Sequence, residues 1–256
     1  MIWPFKTDTA RAIGYIEDQK GILRRYKREK SNWDSHIQNT KDYICRQTKD
    51  LHFEKIAVLG SGYLLDLPID ELLERCTEIH LYDVHHPKEV LAKYRNNAKV
   101  VFVEKDITGL SEYLYKAKKN SDVSEILNRN TQLTLQDADL VISLNILNQL
   151  DIILVDYLNE KMALDMETEL KLRNKIQTEH INCLSETMSL LIADTEEIHI
   201  NETGQESTNN LFAQIQLEGI TSDSENWKWS FDTSGNYAED AIVTFKVTAV
   251  TYNKRT

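Results

Sequence analysis

Cysteine is rare in this sequence of 256 residues, and no apolar run is long. The three cysteines, Cys45, Cys76 and Cys183, lie far apart, form no Cys-x-x-Cys pair and are odd in number. That pattern favours reduced thiols over disulfide bonds or a zinc site. No segment approaches the roughly 20 apolar residues that a bilayer span needs, and the first residues lack the apolar core of a signal peptide. We therefore expect a cytoplasmic protein with no membrane span.

Positive charge is also in deficit. The formal net charge of −11 argues against a nucleic-acid partner, because contacts with phosphate groups dominate that affinity. Residues 1–55 are the exception, with 12 Lys/Arg against 8 Asp/Glu. A basic cluster between Arg24 and Lys30 could meet RNA, DNA or an acidic membrane, but such charge runs more often form the solvated face of a helix. We expect a solvated face.

A strand, a glycine turn and a helix follow one another in KIAVLGSGYLLDLP, from Lys55 to Pro68. The apolar run before the glycines is typical of a strand that is buried on both faces. In Gly60-Ser61-Gly62, the first glycine allows a tight turn, and the second lets a ligand approach bare backbone. The stretch is the opening of a nucleotide-binding βαβ unit.

Strands and helices alternate along the following residues, which predicts a mostly parallel sheet with helices on both faces. The last two β-rich runs, NWKWSFD and AIVTFKVTAVTY, are joined by a short polar segment and should pair in antiparallel fashion. NETGQESTNN predicts an exposed loop. We expect a Rossmann-like α/β domain over residues 51–256, with a seven-stranded sheet and an antiparallel C-terminal strand. A helical extension over residues 1–50 precedes it.

Polar residues close several of the predicted strands. Asp83, Asp106, Asn145 and Asp194 all fall at or just after a strand end, where parallel sheets bind their ligands. Asp83, about 20 residues beyond the glycines, suits both hydroxyls of an adenosine ribose. Asp106 suits the adenine amino group. In this order after the glycine turn, the two acids favour an adenosine-containing cofactor. A metal site at Asp83, His85 and His86 is the weaker interpretation, and we expect no metal.

This arrangement resembles the class I S-adenosylmethionine-dependent methyltransferases over about residues 50–256. VLGSG stands for the glycine motif, LYDV and EKDI for the acids of the second and third strands, and ADLVISLNIL for the fourth strand. LGSGYLLDLP, YDVHHP, ISLNILNQL and LLIADTE also resemble a little-characterised bacterial branch of methyltransferase-like proteins. The resemblance implies S-adenosyl-L-methionine as the cofactor. It implies cofactor contacts from Gly60, Ser61, Gly62, Asp83 and Asp106, and from Ser143 or Asn145 beside the methyl group.

The chain also departs from that family. Val58 stands where an acid is usual, Leu64 where a third glycine is usual, and no Asn/Asp-Pro-Pro-aromatic motif follows the fourth strand. Since that motif accepts planar amines in many nucleic-acid and protein N-methyltransferases, we expect a small-molecule substrate. The catalytic residue stays open between Asn145 and His180, the latter as a general base for a hydroxyl substrate.

Two other readings of the sequence remain open. The departures at Val58 and Leu64 allow a degenerate member of the fold that binds a ligand or a protein without methylating it. A nicotinamide oxidoreductase is disfavoured by Asp66, which stands where the dinucleotide motif needs a small residue.

Asp194 and Glu196 could position a cationic or hydroxylated substrate. The sequence does not fix the methyl acceptor or the oligomeric state.

Overall fold

The protein is described from a computed structural model, which covers residues 7–117, 123–129, 133–135, 137–215, 217 and 223–252. The described helices are α1 Thr7–Ile13, α2 Tyr15–Arg28, α3 Lys30–Gln47, α4 Ile69–Glu74, α5 Lys88–Tyr94, α6 Ser111–Lys116, α7 Val123–Leu127, α8 Gln149–Met162 and α9 Met166–Leu184. The strands are β1 Phe53–Leu59, β2 Cys76–Asp83, β3 Val100–Glu104, β4 Leu140–Leu144, β5 Met188–Asn201, β6 Glu206–Asn210, β7 Asp223–Asp232 and β8 Ala241–Tyr252. None of these helices is long and apolar enough to cross a membrane.

The strands form one sheet in the order β3-β2-β1-β4-β5-β8-β7. Strands β1 to β5 run parallel to one another, and β8 lies antiparallel between β5 and β7. The predicted parallel sheet with an antiparallel C-terminal strand is confirmed. The apolar runs of β1 and β4 explain their central place, because every residue of β4 and the last four of β1 are buried.

An eighth strand, β6, pairs with the distal part of β5 and stands outside the seven-stranded path. It falls within NETGQESTNN, so the prediction of a loop there was wrong. All five of its residues are exposed, as predicted. Because no side chain of β6 is buried, the sequence shows no apolar alternation there.

Helix α3 packs against strands β7 and β8 of the sheet. Trp33, Tyr43 and Ile44 are at most 3% exposed and belong to the apolar core. Two further contacts fix the helix: Trp33 Nε1 donates to Phe231 O at 2.8 Å, and the Tyr43 and Thr251 hydroxyls lie 2.7 Å apart. Residues 7–47 therefore supply part of the core, and residues 1–6 of the expected extension lie outside the described residues.

Candidate functional site

A cavity of about 300 Å³ opens at the carboxyl ends of β1, β2, β4 and β5. Helices α2 and α3 and the start of α8 complete its wall. Its volume is in the range of small-molecule pockets. Of the residues that the sequence singles out, it is lined by Gly60, Ser61, Gly62, Asp66, Asp83, Asn145 and Asp194.

The glycine turn at the end of β1 uses its two glycines differently. Gly60 has φ +77°, and a Cβ there would lie 2.1 Å from Ile146 Cγ2, so no other residue fits this close approach. Gly62 has φ +43°, but the nearest atom to a Cβ would be Gly60 O at 4.0 Å. The space beside Gly62 is therefore open to a ligand. The Ser61 hydroxyl is buried without a hydrogen-bond partner among the described residues.

Two departures from the family pattern can now be located. Leu64 has φ +57°, a left-handed conformation that glycine adopts without steric cost. Its N–H donates to Ser61 O at 2.9 Å, which closes the turn with leucine in place of glycine. Val58 is fully buried in the apolar core. Leu64 therefore takes the left-handed position of the turn itself.

Asp83 closes β2 beside this turn. Its Oδ2 accepts a hydrogen bond from Gly62 N at 2.7 Å, and its Oδ1 accepts from Gln19 Nε2 at 3.2 Å. Burial raises the pKa of the Asp83 carboxyl to about 6. Asp83 therefore also holds the glycine turn and helix α2 together.

His85 and His86 do not join Asp83 in a metal site. His85 Nδ1 lies 3.2 Å from Glu104 Oε1, and the buried His86 ring packs edge-on against Phe102. Within the described part of the chain, no three His, Cys, Asp or Glu side chains are grouped as metal ligands.

Asp106 and Ser143, both predicted to contact the cofactor, lie off the wall of the cavity. Asp106 Oδ1 accepts from Thr108 N and Oγ1 at 2.9 and 2.7 Å, and Oδ2 accepts from Ser111 N at 2.8 Å. Its carboxylate thus stabilises the loop before α6. The neighbouring residues Lys105 and Ile107 line the cavity instead.

Ser143 pairs with His180 of α9 rather than with the cavity. Ser143 Oγ and His180 Nε2 lie 2.8 Å apart, and both residues are buried. Burial lowers the pKa of His180 to about 4. Of the two catalytic candidates, the structure brings Asn145 to the cavity and places His180 away from it.

Asn145 follows β4 with φ +48° and takes part in a buried polar chain. Its Nδ2 lies 3.0 Å from His36 Nε2 and 3.2 Å from Asp66 Oδ2. Trp227 Nε1 donates to His36 Nδ1 at 3.1 Å, so a neutral His36 carries its proton on Nε2. Hydrogen-bond chemistry then places the amide oxygen of Asn145 against His36, which requires a proton on Asp66.

The pKa values of this chain agree with that arrangement. Burial lowers the pKa of His36 to about 3, which keeps the ring neutral. Burial also raises the pKa of Asp66, which favours its protonated form. The second polar atom of the Asn145 amide has no partner among the described residues.

The aromatic part of the cavity wall, which we call the aromatic chamber, was not found from the sequence. It is lined by Trp33, Trp229, Phe231, Tyr237 and Phe245. Neighbouring rings are in contact, with centroids 4.6 to 4.9 Å apart for Phe231–Phe245, Trp33–Trp229, Trp229–Phe231 and Phe231–Tyr237. The alternation of Trp227, Trp229 and Phe231 in β7 was the available signal, since residues two apart share one face of a strand.

Asp194 ends the parallel part of β5 and borders this chamber. The pairing of β5 with β8 shifts between Asp194 and Glu196, a β-bulge of the kind that redirects side chains beside functional sites. Asp194 is 2% exposed, and its Oδ1 has no hydrogen-bond partner among the described residues. Burial, together with the nearby carboxyls of Asp66 and Glu197, raises its pKa to about 8.

The basic cluster of α2 is more than a solvated face. Arg24 and Lys27 are exposed, as predicted. Arg28 instead forms an ion pair with the buried Asp232 of β7. The Arg25 guanidinium lines the cavity and lies over the rings of Phe231 and Tyr237, 4.6 and 5.0 Å from their centroids. Part of the cluster therefore builds the site.

The sheet decides the fold. Five parallel strands in the order β3-β2-β1-β4-β5 are followed by an antiparallel last strand, inserted between β5 and β7. The fold is a Rossmann-like α/β sheet with an antiparallel C-terminal strand.

Comparison with solved structures finds methyltransferases of low sequence identity. N-methyltransferase NodS from Bradyrhizobium japonicum is 9% identical, with a TM-score of 0.39, over 87% of this chain and 99% of that one. The 1,6-didemethyltoxoflavin-N1-methyltransferase from Burkholderia thailandensis, bound to 1,6-didemethyltoxoflavin and S-adenosylhomocysteine, is 9% identical, with a TM-score of 0.43, over 99% and 94%. No family model matches the sequence, and no curated protein matches it.

Proposed function

We propose that this chain binds S-adenosylmethionine in the cavity and transfers its methyl group to a small molecule. One observation carries the proposal. The glycine turn with Asp83 and the aromatic chamber with Asn145 and Asp194 line a single cavity. A cofactor and an acceptor can therefore meet inside it.

The residues at the glycine end fit the cofactor. The space beside Gly62 admits a ligand against bare backbone, and the unpartnered Ser61 hydroxyl is available to a polar group of that ligand. Asp83 would hold the ribose hydroxyls, with Gln19 yielding its place on Oδ1. The sulfonium of the cofactor supplies an activated methyl group. The protein then supplies proximity and alignment.

The test is a thermal-shift and calorimetric titration with S-adenosylmethionine, S-adenosylhomocysteine and NAD. The two adenosyl ligands should stabilise the protein by roughly 2.7 kcal/mol at about 100 times their dissociation constant, and NAD should not. Flat melting curves with all three at millimolar concentration would contradict the proposal.

Asp83→Asn sharpens this test. Loss of a charge-assisted pair of hydrogen bonds, worth about 1.5–3 kcal/mol, should weaken S-adenosylhomocysteine roughly ten- to a hundredfold. Glu74→Gln, an exposed carboxylate of α4, is the matched control and should bind as wild type does. Equal affinity in all three proteins would remove Asp83 from the site.

A further inference from the structure

Asp194 is a buried carboxyl that the fold itself does not use. Its Oδ1 makes no hydrogen bond to the described residues, although the side chain lines the cavity. A buried polar group without a partner costs free energy, and an unpaired charge costs more. A ligand that provides the missing partner would remove this cost on binding.

The surroundings of Asp194 lack a counter-charge. No described lysine or arginine lies within ion-pair distance of it. Its electrostatic neighbours are two further carboxyls, Asp66 and Glu197. Arg25, which also lines the cavity, lies over the rings of Phe231 and Tyr237, and Asp18 and Asp232 are its acidic electrostatic neighbours. The chamber therefore favours a ligand group that is positively charged or becomes so.

We propose that the methyl acceptor is an amine, whose nitrogen Asp194 binds inside the aromatic chamber and deprotonates. This rests on the proposed methyl transfer. The acceptor binds as an ammonium, and the carboxylate of Asp194 takes one N–H proton from it, which frees the nitrogen lone pair. The lone pair forms the new nitrogen–carbon bond, the carbon–sulfur bond breaks with its electron pair remaining on sulfur, and the product leaves as the N-methylammonium. Asp194 is thus the catalytic base.

Other acceptors fit this chamber less well. A hydroxyl acceptor would have to develop negative charge next to Glu197, which repels it. A carboxylate acceptor meets the same repulsion. An amine moves toward positive charge during the reaction, and both the carboxyls and the aromatic faces attract positive charge. The electrostatics therefore select nitrogen.

The test compares amines with alcohols of the same shape. The probes are benzylamine and tryptamine, with benzyl alcohol and tryptophol as their counterparts, titrated calorimetrically with and without saturating S-adenosylhomocysteine. Each amine should bind at least roughly tenfold more tightly than its alcohol, as expected for a charge-assisted contact in place of a neutral one. Asp194→Asn should abolish the difference. Glu196→Gln, a carboxylate of the same strand paired with Lys246, should keep it.

The pH dependence tests the same contact without a variant. An ammonium pairs only with an ionised Asp194, so amine affinity should rise roughly tenfold between about pH 7 and 9. Over that range Tyr237, with its pKa raised to about 12, and His36, with its pKa near 3, both stay neutral, and Arg25 stays charged. Asp66, whose pKa is also raised, and Glu197 are both still present in the Asp194→Asn variant, so any contribution of theirs to the pH profile would persist there. That variant should show a flat profile, and a parallel rise in it would overturn the assignment.

The outcomes separate this inference from the methyltransferase proposal. If S-adenosylhomocysteine binds and the amines show no preference over the alcohols, or do not bind, the amine assignment is overturned and the cofactor site stands. If S-adenosylhomocysteine does not bind but the amines bind through Asp194, the amine site stands and methyl transfer falls. With both bound, mass spectrometry with S-adenosylmethionine should detect the N-methylated probe, at a rate that Asp194→Asn lowers at least roughly a hundredfold.

Discussion

At the scale of single residues, the buried carboxyl of Asp194 makes the stability of the folded protein depend on pH. Because its pKa in the folded protein, about 8, exceeds the ordinary value of about 4, the folded state binds the proton more tightly than the unfolded chain does. Its stabilising effect is full below about pH 4 and is lost as the pH rises to about 8. Asp194→Asn removes this loss. The free energy of unfolding of the variant should therefore exceed that of wild type by an amount that grows from about pH 4 to 8, up to several kcal/mol.

Thermal melts over that pH range measure the effect directly. Glu196→Gln should follow wild type throughout, because its carboxylate is paired with Lys246 at 2.8 Å on the protein surface. If Asp194→Asn is less stable than wild type at pH 8, Asp194 is a structural residue whose partner lies outside the described part of the chain.

At the scale of elements, the glycine turn separates folding from binding. Gly60→Ala forces a Cβ against Ile146 and strains a positive φ, at a cost of about 1–3 kcal/mol from the backbone alone. Gly62→Ala meets nothing closer than Gly60 O at 4.0 Å and costs about 1–2 kcal/mol of strain, but it fills the space beside the backbone. Denaturant titration should find Gly60→Ala the less stable protein. Calorimetry should find that Gly62→Ala loses cofactor affinity while it remains folded. The reverse pattern would show that the open space for a ligand does not lie beside Gly62.

The elements also show what could be predicted from sequence. Strands β1 and β4 were predictable because their apolar runs are buried on both faces. Asp83 and Asp106 carry the same local signal, an acid at the end of a strand, yet only Asp83 reaches the cavity. The difference lies in Thr108 and Ser111, whose N–H groups occupy the Asp106 carboxylate. The turn after Asp106 therefore determines that its carboxylate, unlike that of Asp83, does not reach the cavity.

The aromatic chamber was hidden from sequence reasoning for a different reason. It joins α3 to β7 and β8, which lie about 200 residues apart in the chain, as the contact of Trp33 with Phe231 shows (|i−j| = 198). Periodicity identifies a strand but not the element that covers its face. Asp194 was visible at a strand end, but its burial depends on this long-range packing.

At the scale of the whole molecule, the N-terminal helices belong to the core. Trp33 is 3% exposed, packs edge-on against Trp229, stacks on Phe231, and donates a hydrogen bond to Phe231 O. Trp33→Ala should destabilise the protein by about 3–5 kcal/mol, and Trp33→Phe by less. A fragment that begins at residue 51 should lose cooperative unfolding and bind hydrophobic dyes. A fragment that melts cooperatively at the wild-type temperature would make these helices a separate unit.

The packing of tryptophans around the cavity gives the molecule a built-in optical signal. Of the four tryptophans in the sequence, Trp33 and Trp229 line the cavity, and Trp227 bonds His36 beside it. The three tryptophans of the described residues therefore lie at one place. Any molecule that enters the chamber alters the polarity around these rings, so occupancy can be followed in solution by fluorescence, with no label attached.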